Sequence, residues 1–352
     1  MNKNICIVAG ARPNFVKVAP LIRAIRKSEQ ASCQLVYAGM ADDPTLEPSL
    51  FDDLQMPRPD FYLGVDSVKL NEITSRVMAE FDRFLDEHPV DVVIVVDDLA
   101  STMAAAIVTK KRGLRLAHIV AGTRSFDVSM PKEINRLVID GLSDLLFTAG
   151  AGSSSIATRE GAELHRIYMV GNILMDTLRQ NQSRWLRPAC LDGIQDGRYL
   201  VFTVNRKALI ADSEKLEAMM DVIAQVAGDI PVLAPLRGKA AELTSRHAAF
   251  RVVPSLSYLE FGYLSSRALG VITDSGNVAE EATFNHVPCI TLNSYTEHIE
   301  TVKVGTNVLV GEDADCLRDE LTAMVRGEWK NGSLPDRWDG RTADRIVQTL
   351  MA

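Results

Sequence analysis

The stretch Asp91–Val96 reads DVVIVV, an unbroken β-branched run that ends in two acids, Asp97 and Asp98. A strand with one wet face alternates apolar and polar residues. A run without alternation marks a strand covered on both faces, as in a parallel sheet between helices. The neighbouring sequence follows the same plan. Ile5–Val8 and Cys33–Tyr37 read as strands, with helical spacing between them from Pro20 to Lys27. Leu70–Leu85 reads as an amphipathic helix, and another helix begins at Ser101 or Thr102. Arg115–Val120, Leu145–Thr148 and Ile167–Val170 add strands. The pattern restarts with strands at Tyr199–Thr203, Pro231–Ala234, Ala249–Val253, Gly270–Thr273 and Cys289–Leu292. Helices are predicted at Ser213–Val226, Ser257–Ser265 and Val278–Phe284, with a last one at Arg341–Met351.

Two rounds of strand–helix alternation predict an α/β fold of two Rossmann-like domains facing a central cleft. A chain of 352 residues is also too long for one core. The expected division is 1–186, a polar Pro- and Gly-containing linker at 187–197, and 198–336. A terminal helix within 337–352 is expected to pack back on the first domain.

Net charge is −8 with no basic run, which argues against a nucleic-acid binder. No apolar run reaches membrane-span length, so no membrane partner is expected. Five dispersed cysteines without CxxC spacing, and an N-terminus that enters a strand directly, point to a reducing cytoplasm. The six histidines show no HxxxH or HxH pairing, so no metal and no cofactor are expected.

Ligands in such sheets lie beyond the carboxyl ends of the strands, so the loops there carry the candidate site. GVITDSGNVAEEA (270–282) reads as a buried strand, a Ser275–Gly276 turn and a helix opening on Asn277. Gly276 lets a ligand approach the backbone, Ser275 supplies a hydroxyl, and the helix start suits a phosphate. Glu280 and Glu281 put a carboxylate where it suits a ribose diol, although the two also read as a plain solvated acidic face. Arg12 and Lys17, after the first strand, place two cations where they can clamp a diphosphate, or stand as surface charges. Asp97 and Asp98 sit at a strand end, where adjacent carboxylates shift one another's pKa if both point inward; if they point to opposite sides, one of them caps the following helix. Lys132 and Arg136 are one helical turn apart, behind Pro131 and beside Glu133. His118, alone in an apolar strand, reads more simply as a core histidine than as an acid or base.

These segments resemble the non-hydrolysing UDP-N-acetylglucosamine 2-epimerases, whose two Rossmann-like domains have the GT-B-like arrangement of many glycosyltransferases. The likeness rests on GARPNFVKVAPL, DVVIVVDDLAST, HIVAGTRSFD, MPKEINR, LSDLLFT, VGNILMDTL, LSYLEFGYL, TDSGNVAEEA and TEHIETVKVGTNVLVG, in order along nearly the whole chain. It implies a UDP-sugar substrate, a homodimer, and C2 epimerisation by elimination and re-addition of UDP. It implies substrate-binding roles for Arg12, Lys17, Arg136, Ser275, Gly276, Asn277 and Glu281, and a role for Asp98. It also implies losses. Val120 and Lys132 stand where the family carries catalytic glutamates, Asn205 where it carries a histidine, and Asp97 and Asn277 where it carries glycines.

Valine and asparagine cannot move protons, so Asp98, Glu133, Lys132 and Asp97 become the candidate catalytic residues, with Asn205 and Arg206 as binding residues. Three readings stay open. The chain epimerises a UDP-sugar with re-sited proton carriers. Or it runs another nucleotide-sugar reaction, such as UDP elimination, hydrolysis or glycosyl transfer. Or it binds a UDP-sugar without turnover.

Overall fold

The computed structural model describes residues 3–254 and 256–352. They divide into two compact units. One runs to Gln180 and takes in Asp336–Ala352; the other is Asn181–Pro335.

The first unit is built on a seven-stranded sheet: β1 (Lys3–Ala9), β2 (Ala31–Tyr37), β3 (Phe61–Tyr62), β4 (Val92–Val96), β5 (Arg115–Ala121), β6 (Leu145–Thr148) and β7 (Ile167–Met169). Its order is β3-β2-β1-β4-β5-β6-β7, and each neighbouring pair is parallel. Every residue of β4 is buried, as its β-branched run predicts. The chain leaves β1 toward β2 on one side and later returns to β4 on the other. The loops after β1 and β4 therefore flank a topological switch point, where open α/β sheets bind ligands.

The second unit holds β8 (Leu200–Thr203), β9 (Val232–Pro235), β10 (Phe250–Val253), β11 (Gly270–Thr273), β12 (Cys289–Thr291) and β13 (Asn307–Leu309). The order β10-β9-β8-β11-β12-β13 puts its switch point between β8 and β11. Side chains alternate between two cores. Phe202, Ile272 and Ile290 enter one, while Val201, Val271 and Cys289 enter the other. Burying each large apolar side chain contributes about 1.5–3 kcal/mol, and two covered faces double the number that can do so.

Several boundaries differ from the sequence reading. The first helix spans Arg12–Ser28 rather than starting at Pro20, which lies buried inside it. The Asn14 side chain explains the earlier start: its Oδ1 accepts the Gly10 and Ala11 N–H groups at 2.9 and 3.3 Å. Strands β3 and β13, two and three residues long, are too short to show a periodic pattern. The stretch 187–197 lies within the second unit, with Leu191 buried in its core and Arg187 paired to Asp196 at 2.8 Å. The helix Thr342–Met351 starts on Asp176, whose two carboxylate oxygens accept the Thr342 and Ala343 N–H groups at 3.0 and 2.8 Å.

Candidate functional site

In the first unit, the loops after β1 and β4 meet through charge. Asp97 has φ +60, a left-handed conformation that Asp tolerates better than most residues. Its carboxylate accepts Lys17 Nζ at 2.6 Å and Asn14 Nδ2 at 2.9 Å. Lys17 is buried, so this pair joins the first helix to the end of β4. Arg12, half-buried, has no ion-pair partner among the described residues.

Asp98 faces the helix Pro131–Leu142. Arg136 Nε donates to its Oδ2 at 2.8 Å, and Lys132 Nζ lies 3.5 Å from Oδ1. Burial pushes the Asp98 carboxyl up, but Lys132, Arg136 and Lys17 outweigh it and hold it below the usual carboxylate range. Glu133, 1% exposed, accepts from Ser125 N and Oγ (2.9 Å each), Phe126 N (3.1 Å) and Arg136 Nη1 (3.0 Å). These donors overcome the effect of burial and keep it ionised. Glu133 therefore ties down the loop after β5. Lys132, with 59% of its side chain exposed, is the member of this cluster open to solvent.

His118 is a core histidine, as the sequence suggested. Its Nδ1 lies 2.6 Å from Asp140 Oδ1 and its Nε2 3.0 Å from the Asp97 carbonyl oxygen. Both partners are acceptors, so the ring ties the end of β4 to the helix Pro131–Leu142. Asp140 also accepts the Gly122 N–H at 3.0 Å and pairs with Arg124 at 2.8 Å. Gly122 has φ +73, and a Cβ there would meet the Ser153 carbonyl oxygen at 2.2 Å. Next to it, Val120 has φ +72 where the β5–β6 register slips. A β-branched residue rarely adopts that conformation.

In the second unit, Asp274 joins the loops that flank the switch point. Its carboxylate accepts Asn205 N (3.0 and 2.8 Å) and Arg206 N (2.7 Å). Burial raises the Asp274 carboxyl despite these donors. The Arg206 guanidinium donates to the Leu292 carbonyl at 3.3 Å and pairs with Glu312 at 3.0 Å. Asn205 instead lines a cavity on the β9 side, so adjacent residues serve opposite faces of one loop.

Ser275 precedes the helix Gly276–Phe284, and its N–H donates to Thr273 Oγ1 at 3.0 Å. A Cβ at Gly276 would meet only Glu297 Oε2, in ordinary contact at 3.7 Å. Asn277 lies in the helix and needs no unusual backbone angle. Glu280 and Glu281 are 1% and 7% exposed, so the solvated-face reading fails. Glu280 lies 3.1 Å from His298 Nε2. Burial, and then the Glu280 charge, push the Glu281 carboxyl up to about 8.

The structure thus brings Arg12, Lys17, Asp97, Asp98, Lys132, Glu133 and Arg136 to one end of the first sheet. It brings Asn205, Arg206, Ser275, Gly276, Asn277 and Glu281 to one end of the second. Sequence reasoning missed Asp140, Asp274 and His298. For His298 a signal existed in the TEHIE segment; Asp140 and Asp274 act through backbone amides that no motif announces. Among the described residues no cluster of His, Cys, Asp and Glu could hold a metal ion. No described helix is long and apolar enough to cross a membrane.

Comparison with known proteins agrees with this arrangement. The family model for UDP-N-acetylglucosamine 2-epimerase matches residues 23–351. A UDP-N-acetylglucosamine 2-epimerase of Methanocaldococcus jannaschii is 30% identical over 98% of each chain. A UDP-2,3-diacetamido-2,3-dideoxy-D-glucuronate 2-epimerase of Pseudomonas aeruginosa is 31% identical over 98% of this chain and 99% of its own. The crystal structure of the M. jannaschii UDP-GlcNAc 2-epimerase in complex with UDP-GlcNAc and UDP matches with a TM-score of 0.87 at 29% identity, covering 99% of both chains. A parallel α/β architecture in both units and a match along almost the full length lead to one conclusion: the chain belongs to the UDP-N-acetylglucosamine 2-epimerase family.

Proposed function

We propose that this protein epimerises a UDP-sugar at C2 by eliminating and re-adding UDP, with proton carriers other than those the family resemblance implies. The observation that carries the reading is the Ser275–Gly276 corner at the start of a helix, with a buried carboxyl, Glu281, one turn in. That corner is the seat for the diphosphate and ribose. The family resemblance gives Arg12 a part in holding the leaving diphosphate, while Lys17 is held by Asp97 at 2.6 Å.

The first proton step falls to Asp98. As the C1–O bond breaks and UDP takes its electrons, positive charge at C1 makes the C2 hydrogen acidic. A carboxylate as weak as Asp98 then suffices as base. The proton that enters C2 of the glycal-like intermediate on the other face comes from water while a UDP oxygen re-forms the bond to C1; Lys132, on the same side as Asp98, holds that carboxylate ionised. Asp97 and Glu133, fully engaged with donors, position these groups. Val120 and Asn205 take no part in proton transfer, since neither side chain titrates. The names of the relatives support a 2-acetamido sugar. The dispersed free thiols support a cytoplasmic setting, and the resemblance a homodimer.

A second reading, release of UDP without epimerisation, is favoured by the same two residues, Val120 and Asn205. Incubation with UDP-GlcNAc in D₂O separates the two. Deuterium at C2 with interconversion supports epimerisation. Free UDP without exchange supports the second reading, and saturable binding with neither result sinks both.

A further inference from the structure

Asp98 follows a residue with an uncommon backbone. Asp97, at φ +60, turns the chain sharply as it leaves β4, so the peptide groups on either side of Asp98 have no strand partners to satisfy them. Two buried side chains meet them instead. His118 Nε2 lies 3.0 Å from the Asp97 carbonyl oxygen, and a carbonyl only accepts, so Nε2 is the donor. Asn135 Nδ2 donates to the next carbonyl, that of Asp98, at 2.8 Å. Both side chains are buried, which strengthens these bonds.

Both grips trace back to the helix Pro131–Leu142. Asn135 stands on it. His118 is held from it by Asp140, 2.6 Å from Nδ1, and Asp140 is anchored in turn by Arg124 at 2.8 Å. Lys132, Arg136 and Asp140 follow at intervals of four and so line one face of the helix. The same face therefore takes hold of Asp98 in two ways. Lys132 and Arg136 reach its carboxylate, and Asn135 and the Asp140–His118 pair reach the backbone behind it. An ammonium at 3.5 Å with most of its side chain exposed sets charge better than position. The two carbonyl bonds fix position and leave the charge alone.

We propose that His118 and Asn135 are positioning residues for proton abstraction: they lock the Asp97–Asp98 backbone so that the Asp98 carboxylate is aimed at C2, without themselves meeting the substrate. The proposal rests on the reading of Asp98 as the base. A base must lie within hydrogen-bond reach of the proton it takes, and a misplacement of about 1 Å costs on the order of 10²-fold in rate. Substrate binding does not depend on that aim, so the effect belongs to kcat.

The test is steady-state epimerisation of UDP-GlcNAc by the full chain. A glutamine amide can place its nitrogen where the imidazole Nε2 stood, whereas an asparagine amide reaches only as far as Nδ1. His118→Gln should keep the bond to Asp97 and most of kcat; His118→Asn should lose both, with kcat down by about 10²-fold. KM and the dissociation constant for UDP should stay within about twofold in each. Asn135→Leu, of similar size and without a donor, should lower kcat by more than about tenfold, and it decides if the His118 variants do not fold. Equal kcat in His118→Gln and His118→Asn, a loss carried by KM, or an unchanged kcat in Asn135→Leu would each overturn the proposal, because packing alone does not tell the two amides apart. A wild type without turnover sinks Asp98 as base instead. Crystal structures of the two His118 variants then judge the grip: Asp97 left-handed in His118→Gln and relaxed in His118→Asn supports it, and no difference overturns it.

Discussion

Lys17 Nζ lies 2.6 Å from Asp97 Oδ1, with only 6% and 17% of the two side chains exposed. Removing one partner of so enclosed a pair leaves the other charged and poorly solvated, at a typical cost of about 3–5 kcal/mol. Here the cost is expected near the lower end, because Asp97 keeps Asn14. Lys17→Met and Asp97→Asn should each destabilise the protein, and the double variant should lose less than their sum by at least about 1 kcal/mol. Urea unfolding of the four proteins measures this. Strictly additive costs would mean that the pair does not form in solution.

That pair also shows where sequence reading stops. Arg12, Lys17, Asp97 and Asp98 were legible as strand-end charges because DVVIVV and ICIVAG fix which loops lie at the carboxyl ends. Their pairing was not legible, since it depends on Asp97 turning left-handed and on Asn14 capping the first helix. Glu280 and Glu281 read as a solvated face because a charge in the first turns of a helix usually is one. Packing against His298 and the second core hides them instead. The fold was more readable than the site, because hydrophobic runs report burial directly, whereas side-chain partners come from distant segments. Even so, short edge strands such as Phe61–Tyr62 escaped, having no room for a pattern.

The buried Glu281 gives the second unit a pH signature. Burial and the Glu280 charge push its carboxyl up to about 8 when folded, against an ordinary value of 4.5. Between those values the folded state holds a proton that the unfolded state has released. Stability therefore falls as pH rises from about 4.5 to about 8, then levels off. Glu281→Gln keeps the shape of the neutral form and should remove that contribution, leaving the variant more stable than wild type above pH 8. Melting temperatures across pH 5–9 test this. Asp176, raised to about 6, adds a smaller slope of the same sign in the first unit. An unchanged slope in Glu281→Gln would show that the carboxyl titrates normally.

Val120, at φ +72, holds a conformation that costs a β-branched residue about 1–3 kcal/mol. Val120→Gly removes that strain at the expense of unfolded-chain entropy and some packing, so a net gain of about 1 kcal/mol is expected. A loss would mean that the conformation is not strained in solution. The functional counterpart is the double change Val120→Glu with Lys132→Glu, which restores the acids that the family resemblance implies. It should not raise C2 epimerisation. Lys132 now lies 3.5 Å from Asp98 Oδ1, and a glutamate there replaces attraction with repulsion. The Asp98 carboxyl would rise, and the ammonium that holds it ionised would be gone. Measured turnover of UDP-GlcNAc in the double variant decides the matter: a large increase would show that the proton carriers were never re-sited, only lost.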